Sequence, residues 1–252
     1  MKKHYLLFSA AAMLLAGCSS SSDAKFQALW NEKAPVAGAA AIQGAGDVKD
    51  SPYFKSIDFA KTKPTNTLLI LPGFKTAQQT TEFSCGPASV NMVLNYWGLA
   101  DKSERALAKE MDTRSYECPR SDGGFSSTTE SVIAAFEKRG IRCISGKTFN
   151  DETTFTAFIR EQLQKGNPIV INYATWGNHW AVIIGYDDMG TPVTADDVVI
   201  LADPYDLGDH CQDGYTICSL ERLFYAWFDP GIMHGGTLVE EQFVAPQKPA
   251  KK

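Results

Sequence analysis

Between Cys85 and Gly98 the sequence places apolar residues on nearly every side of a helix. Val90, Val93, Leu94 and Trp97 recur at i, i+3, i+4 and i+7, while Ala88, Met92 and Tyr96 make a second apolar face. Asn91 and Asn95 leave only a narrow polar stripe. A helix of that pattern is stable when covered on most sides, so other elements have to pack around it. Pro87 suits the first turn, where its missing amide has no intrahelical acceptor, and Gly98 suits the C-terminal cap. The 252 residues are 44% apolar and 21% charged. That is ordinary globular usage, with enough apolar side chains to enclose such a helix.

Around it the pattern predicts helices first and a sheet afterwards. Thr67–Leu71 is a short apolar strand closed by Pro72 and Gly73, and Ser103–Met111 is a short helix. Ser127-Thr128-Thr129-Glu130 has capping-box spacing and opens a helix to Arg139, stopped at Gly140. Ile141–Ile144 is a brief strand. Glu152–Lys165 is amphipathic through Phe155, Phe158, Ile159 and Leu163. Ile169–Tyr173, His179–Tyr186 and Val198–Ala202 then read as strands, with a turn at Asp187–Gly190, and Ser219–Phe228 as a last helix. The expected fold class is α+β.

The two ends differ from this middle. Lys2 and Lys3 precede an apolar run, Tyr5–Leu15, shorter than the ~20 helical residues that span a bilayer. The run ends in Leu15-Ala16-Gly17-Cys18, which resembles the lipobox of bacterial lipoproteins. The resemblance implies removal of residues 1–17, a diacylglyceryl thioether on Cys18 and acylation of the new N terminus. With Ser19 rather than Asp after the cysteine, it also implies the outer membrane, facing the periplasm. Several acyl chains anchor durably where one does not. Residues 18–50 are expected to form a flexible tether, 51–244 the folded domain and 245–252 a disordered tail. The net charge of −5 and the absence of a basic tract speak against a nucleic-acid partner.

Beyond Cys18 the cysteines are Cys85, Cys118, Cys143, Cys211 and Cys218. In an oxidising compartment an odd number suggests two disulfides and one thiol. Cys211 and Cys218 flank an Asp213-Gly214 turn and are expected to pair, with Cys118–Cys143 as the second bridge. A zinc site from His210, Cys211 and Cys218 is the rival reading, and it lacks paired metal-ligand spacing. No cofactor is expected.

Cys85 is then the thiol left over, at the head of the buried helix. A helix N terminus carries about half a positive charge, which favours the reactive thiolate. The alternative is an inert buried cysteine. His179 opens a strand in GNHWAVIIGYDD, where an imidazole can take a proton from a thiol and return it to a leaving group. His4, His210 and His234 are its competitors. Asp203 ends the next strand before Pro204, placed to orient that imidazole, with Asp187, Asp188 and Asp206 as rivals. Gln79, beside Gln78 and ahead of Cys85, offers an amide to a developing oxyanion.

Taken together, Gln79-x₅-Cys85-Gly86-Pro87-Ala88-Ser89, HWAVIIGYDD and Ala202-Asp203-Pro204 resemble the papain-like cysteine peptidases of the bacteriocin-processing, double-glycine-leader type. GGFSSTTESVIAAFEKRG is similar to that family's helix after the nucleophile helix. The resemblance spans about residues 78–205. It implies a papain-like fold, Cys85 as nucleophile, His179 as base and acid, Asp203 as orienting acid, Gln79 as oxyanion donor, and a peptide or protein substrate. The family's processing members are joined to a transporter, and no segment here resembles one, so leader removal during export is not expected. Two other readings stay open: an acyl or peptidyl transferase similar to phytochelatin synthase, and a non-catalytic binding lipoprotein. Substrate selection is expected in Arg114–Phe125 and Asp206–Cys218.

Overall fold

The computed structural model describes residues 24–42, 51–121, 123–147, 149–175, 178–228 and 242–250. Cys18 with its lipobox, His4 and His234 lie outside them. In chain order the elements are β1 (Leu68–Ile70), α1 (Cys85–Tyr96), α2 (Glu104–Glu110), α3 (Thr129–Glu137), β2 (Cys143–Ile144), α4 (Glu152–Gln164), β3 (Ile169–Ala174), β4 (Asn178–Asp187), β5 (Val198–Ala202), β6 (Tyr215–Ser219), α5 (Leu220–Phe228) and β7 (Phe243–Pro246). The class is α+β, as expected. Among the described residues no helix is long and apolar enough to cross a membrane.

The strands form one antiparallel sheet in the order β2-β7-β3-β4-β5-β6, with β1 also pairing to β4. β4 organises it. Its first half pairs with β3, Tyr173 facing His179, and its last residues pair with β1, Leu68 facing Asp187. β5 runs along the other edge, with a bulge between Ile183 and Gly185. Trp180 through Tyr186 are all buried, so β4 is covered on both faces.

α1 is buried over most of its length, as its two apolar faces require. Ser89 on α1 donates from Oγ to the Trp180 carbonyl of β4 at 3.1 Å. That bond ties the central helix to the central strand. Elsewhere Phe149 packs against Phe155, Phe158, Trp227 and Phe243, with ring centroids 5.2–5.9 Å apart. The cluster joins α4, α5 and β7, each buried ring contributing roughly 1.5–3 kcal/mol.

Several expectations need correction. The cap of α3 is Thr128 with Ser131, not Ser127 with Glu130. Ser127 is otherwise engaged: its hydroxyl pairs with Thr113 at 2.7 Å and its carbonyl accepts from the Trp180 indole at 3.3 Å. The tail does not begin at 245. Ala245 and Pro246 complete β7 between β2 and β3. Gln247 then donates to the Arg142 carbonyl, and Lys248 to Asn167 Oδ1, both at 2.8 Å.

Nor are residues 24–42 a flexible tether. Residues 24–29 are helical, and Phe26 and Trp30 are buried with Ala108 and Cys118. Arg105 of α2, itself buried, donates to the carbonyls of Asn31, Ala34 and Pro35 at 2.5–2.9 Å. The amides of Ala37 and Gly38 reach the Thr80 carbonyl, and that of Ala40 the Gln79 carbonyl. The small-residue composition that reads as a linker is what permits this approach: a Cβ on Gly38 would stand 2.5 Å from the Thr81 carbonyl oxygen.

The two expected disulfides are absent. Among the described residues none of Cys85, Cys118, Cys143, Cys211 and Cys218 is in a disulfide. Cys118 belongs to the Phe26–Trp30 cluster, whereas Cys143 pairs with Pro246 and packs on the main core. Cys218 lies four residues beyond Gly214 along extended β6, roughly 13 Å at about 3.3 Å per residue. Cys211 precedes the turn instead. A cystine needs Cα atoms within about 7 Å.

Candidate active site

Cys85 is the first residue of α1 and is 5% exposed. Ser84 occupies the N-cap position but makes no capping bond. Its hydroxyl is held by Thr81 instead, at 2.8 Å. The positive end of α1 therefore acts on Cys85 without a side-chain cap in competition.

His179 and Asp203 meet because of the β4–β5 register. Val182 faces Ala202, so the next position on β5 falls opposite residue 181, and His179 is its diagonal neighbour on the same face. His179 Nε2 lies 2.7 Å from Asp203 Oδ1, with both residues buried. The Tyr173 ring stands edge-on to the imidazole at 5.9 Å.

Asp203 is braced on every side. Its amide donates to the Gly214 carbonyl at 2.9 Å. Oδ1 also accepts from the Tyr205 amide at 2.8 Å, and Oδ2 from Thr216 Oγ1 at 3.4 Å. Gln78 donates from Nε2 to the Asp203 carbonyl and accepts the Asp206 amide, each at 3.2 Å. So Gln78, the neighbour of the residue singled out from sequence, anchors the loop carrying the acid. Asp206 caps that loop through the amides of Gly208 and Gly214, and burial pushes its carboxyl up to about 6. A pocket of about 310 Å³ opens beside Asp203, lined by Tyr173, Tyr205, Thr216, Cys218 and Arg222.

Gln79 is buried on the loop before α1. One amide hydrogen goes to the Thr81 carbonyl at 2.7 Å, and Oε1 has no hydrogen-bond partner among the described residues. Its backbone amide donates to the Pro204 carbonyl at 2.8 Å. The approach to Cys85 is thereby laced to the loop after Asp203.

The electrostatics separate Cys85 from the other thiols. Burial pushes Cys143 and Cys218 up to about 12. Burial opposes ionisation of Cys85 too, but the hydrogen bond and charge of His179 outweigh it, with help from the Trp180 amide and Ser126. The net result is a thiol lowered from its ordinary value. His179 moves the other way. Burial disfavours its charged form, yet the Asp203 carboxylate and the Cys85 sulfur hold it well above the usual imidazole range. Both displacements favour the charged form of the group concerned, thiolate on Cys85 and imidazolium on His179.

Asp206 commits its carboxylate to the amides of Gly208 and Gly214, and the other rival acids and the rival histidine lie elsewhere. Asp187 is eight residues from His179 along β4, roughly 26 Å at about 3.3 Å per residue, and Asp188 pairs with Arg160 at 2.9 Å. His210 packs against the Tyr53 and Phe54 rings. Sequence reasoning missed Ser126, whose Oγ lies 3.9 Å from the Cys85 sulfur, as well as Tyr173 and Thr216. Nothing in their local sequence separates them from ordinary loop and strand residues.

The chain belongs to the Peptidase_C39 like family, whose model matches residues 72–226, a span containing all three residues of this cluster. It is a cysteine peptidase by that membership. No curated protein sequence matches it significantly. Among solved structures, it is similar to the peptidase domain of Streptococcus ComA, a bifunctional ABC transporter involved in a quorum-sensing pathway. Identity there is 17% and the TM-score 0.45, covering 69% of this chain and 99% of that one. It is also similar to UfSP from C. elegans, at 12% identity and TM-score 0.45, covering 84% of this chain and 39% of that one. A third likeness is xylellain, a cysteine protease from Xylella fastidiosa, at 12% identity and TM-score 0.42, covering 82% and 97%.

Proposed function

We propose that this cysteine peptidase cleaves peptide or amide bonds through Cys85, His179 and Asp203, and that it works from a lipid anchor at Cys18. The observation that carries the catalytic reading is His179 Nε2 set 2.7 Å from Asp203 Oδ1 while the same imidazole pulls the Cys85 thiol below its ordinary value. In the reaction the Cys85 thiolate attacks the carbonyl carbon. The His179 imidazolium gives its proton to the leaving amine as the C–N bond breaks, leaving a thioester. Water, deprotonated by His179, then attacks the thioester, and the acid departs as the C–S bond breaks, which restores the Cys85 thiolate and the His179 imidazolium. Asp203 orients the ring and stabilises its charged form. The Cys85 amide and the Gln79 side chain are assigned to the oxyanion, the latter by a rotation that releases the Thr81 carbonyl.

The substrate is a peptide or protein of the periplasm, reached from an anchor in the periplasm-facing leaflet of the outer membrane. The Leu15-Ala16-Gly17-Cys18 motif followed by Ser19 supports that placement. The test is incubation of the mature chain and Cys85→Ala with a peptide library, followed by mass spectrometry. Cleavage by the first and none by the second is expected. Equal product patterns would remove Cys85 from the mechanism. Products that carry an added amine in place of water would mark a transferase. Metabolic labelling with palmitate, lost in Cys18→Ala, tests the anchor separately.

A further inference from the structure

We propose that Ser126 is a further catalytic residue, whose hydroxyl donates a hydrogen bond to the Cys85 sulfur and holds the thiolate in place for attack. The inference rests on the reading of Cys85 as nucleophile.

Ser126 Oγ stands 3.9 Å from Cys85 Sγ, within reach for a sulfur acceptor, and has no other partner among the described residues. Its backbone adopts φ 60, the left-handed region that residues with a side chain rarely use. Such a conformation persists where the surroundings over-determine it, and here they do. The Ser126 amide donates to the Arg114 carbonyl at 2.7 Å. Its own carbonyl accepts from the Arg114 amide at 3.3 Å and from the Arg120 guanidinium at 2.8 Å. The next residue is pinned by Thr113 and by the Trp180 indole. Gly86 completes the arrangement, because a Cβ there would stand 2.6 Å from Ser127 Oγ and push this loop away from α1.

The chemistry follows from what a buried thiolate needs. An anion withdrawn from water requires donors in the protein. The Cys85 sulfur receives the His179 imidazole and the Trp180 amide, and Ser126 supplies a donor from the remaining helical half of the fold. The hydroxyl keeps its proton throughout. Its bond strengthens on the thiolate and weakens once the sulfur carries an acyl group, so it acts on the population and aim of the nucleophile.

The test needs no known substrate. The full chain, Ser126→Ala and Ser126→Gly are treated with iodoacetamide across a pH series, and the rate at Cys85 alone is read by peptide mass mapping. Removing one donor to an ionised acceptor is expected to raise the midpoint of that profile by about half to one pH unit, roughly 3- to 10-fold slower labelling on its acid side. Both variants should shift alike, since both lack the hydroxyl, although glycine accepts the left-handed backbone and alanine strains it. A shift in alanine but not glycine, or in neither, overturns the proposal. A low midpoint in the unmodified chain that persists in glycine overturns Ser126 alone. An unmodified midpoint at the ordinary thiol value overturns the nucleophile reading and this proposal with it.

Discussion

His179 Nε2 and Asp203 Oδ1 lie 2.7 Å apart, joined across two neighbouring strands of one sheet. The pairing of His179 with Cys85 runs instead from sheet to helix, the one on β4 and the other on α1. The helix is held to the strand one residue further on, by Ser89 and the Trp180 carbonyl. The same strand therefore carries the imidazole and the attachment point of the helix that bears Cys85.

That relationship makes the pH profile informative. In the proposed mechanism the productive form carries a thiolate and an imidazolium. Activity rises as Cys85 loses its proton, below the ordinary thiol range, and falls as His179 loses its own, above the ordinary imidazole range. Asp203→Asn keeps an acceptor but removes the charge that holds the imidazolium. The basic limb of kcat/KM should move down towards about 6.5, and the maximum should fall by about 10- to 100-fold. A basic limb that stays in place would show that Asp203 does not set the His179 proton.

Gly86→Ala tests the contact between α1 and the loop over the thiol. The new Cβ meets Ser127 Oγ at 2.6 Å and its Cβ at 2.7 Å. Overpacking of this kind costs about 1–3 kcal/mol, measurable by urea denaturation. Alkylation of Cys85 should slow as well, since Ser126 moves with Ser127. An unchanged unfolding midpoint would mean that the loop yields without cost.

Trp30→Ala addresses the N-terminal segment. The indole is 3% exposed and donates to the Thr113 carbonyl at 3.1 Å. Its loss should destabilise the domain by about 3 kcal/mol. Amide exchange should rise through residues 24–42 and at 79–80, whose carbonyls accept from that segment. Faster exchange confined to residues 24–29 would show that the segment does not brace the loop before Cys85.

Local sequence was enough for the elements whose signals are local. Two apolar faces on Cys85–Gly98 required a central helix, the apolar run from Trp180 required a buried strand, and Pro204 ended the strand that delivers Asp203. Those residues have to occupy such positions in any fold that buries them, so Cys85, His179 and Asp203 were legible as candidates. Only the tertiary structure decided what depends on distant partners. β6 and β7 are short, and β7 is stable because β2 and β3 flank it, which no window around Phe243 reveals. Phe26 and Trp30 sit in a small-residue stretch that reads as a tether, and only their burial against α2 makes it part of the domain. The cysteines followed parity in sequence, but a bridge depends on where Cα atoms end up, and the fold sends Cys118 and Cys143 to different clusters. Ser126 reaches the sulfur because Arg114 and Arg120 hold a left-handed backbone in place, and that is a property of the folded loop.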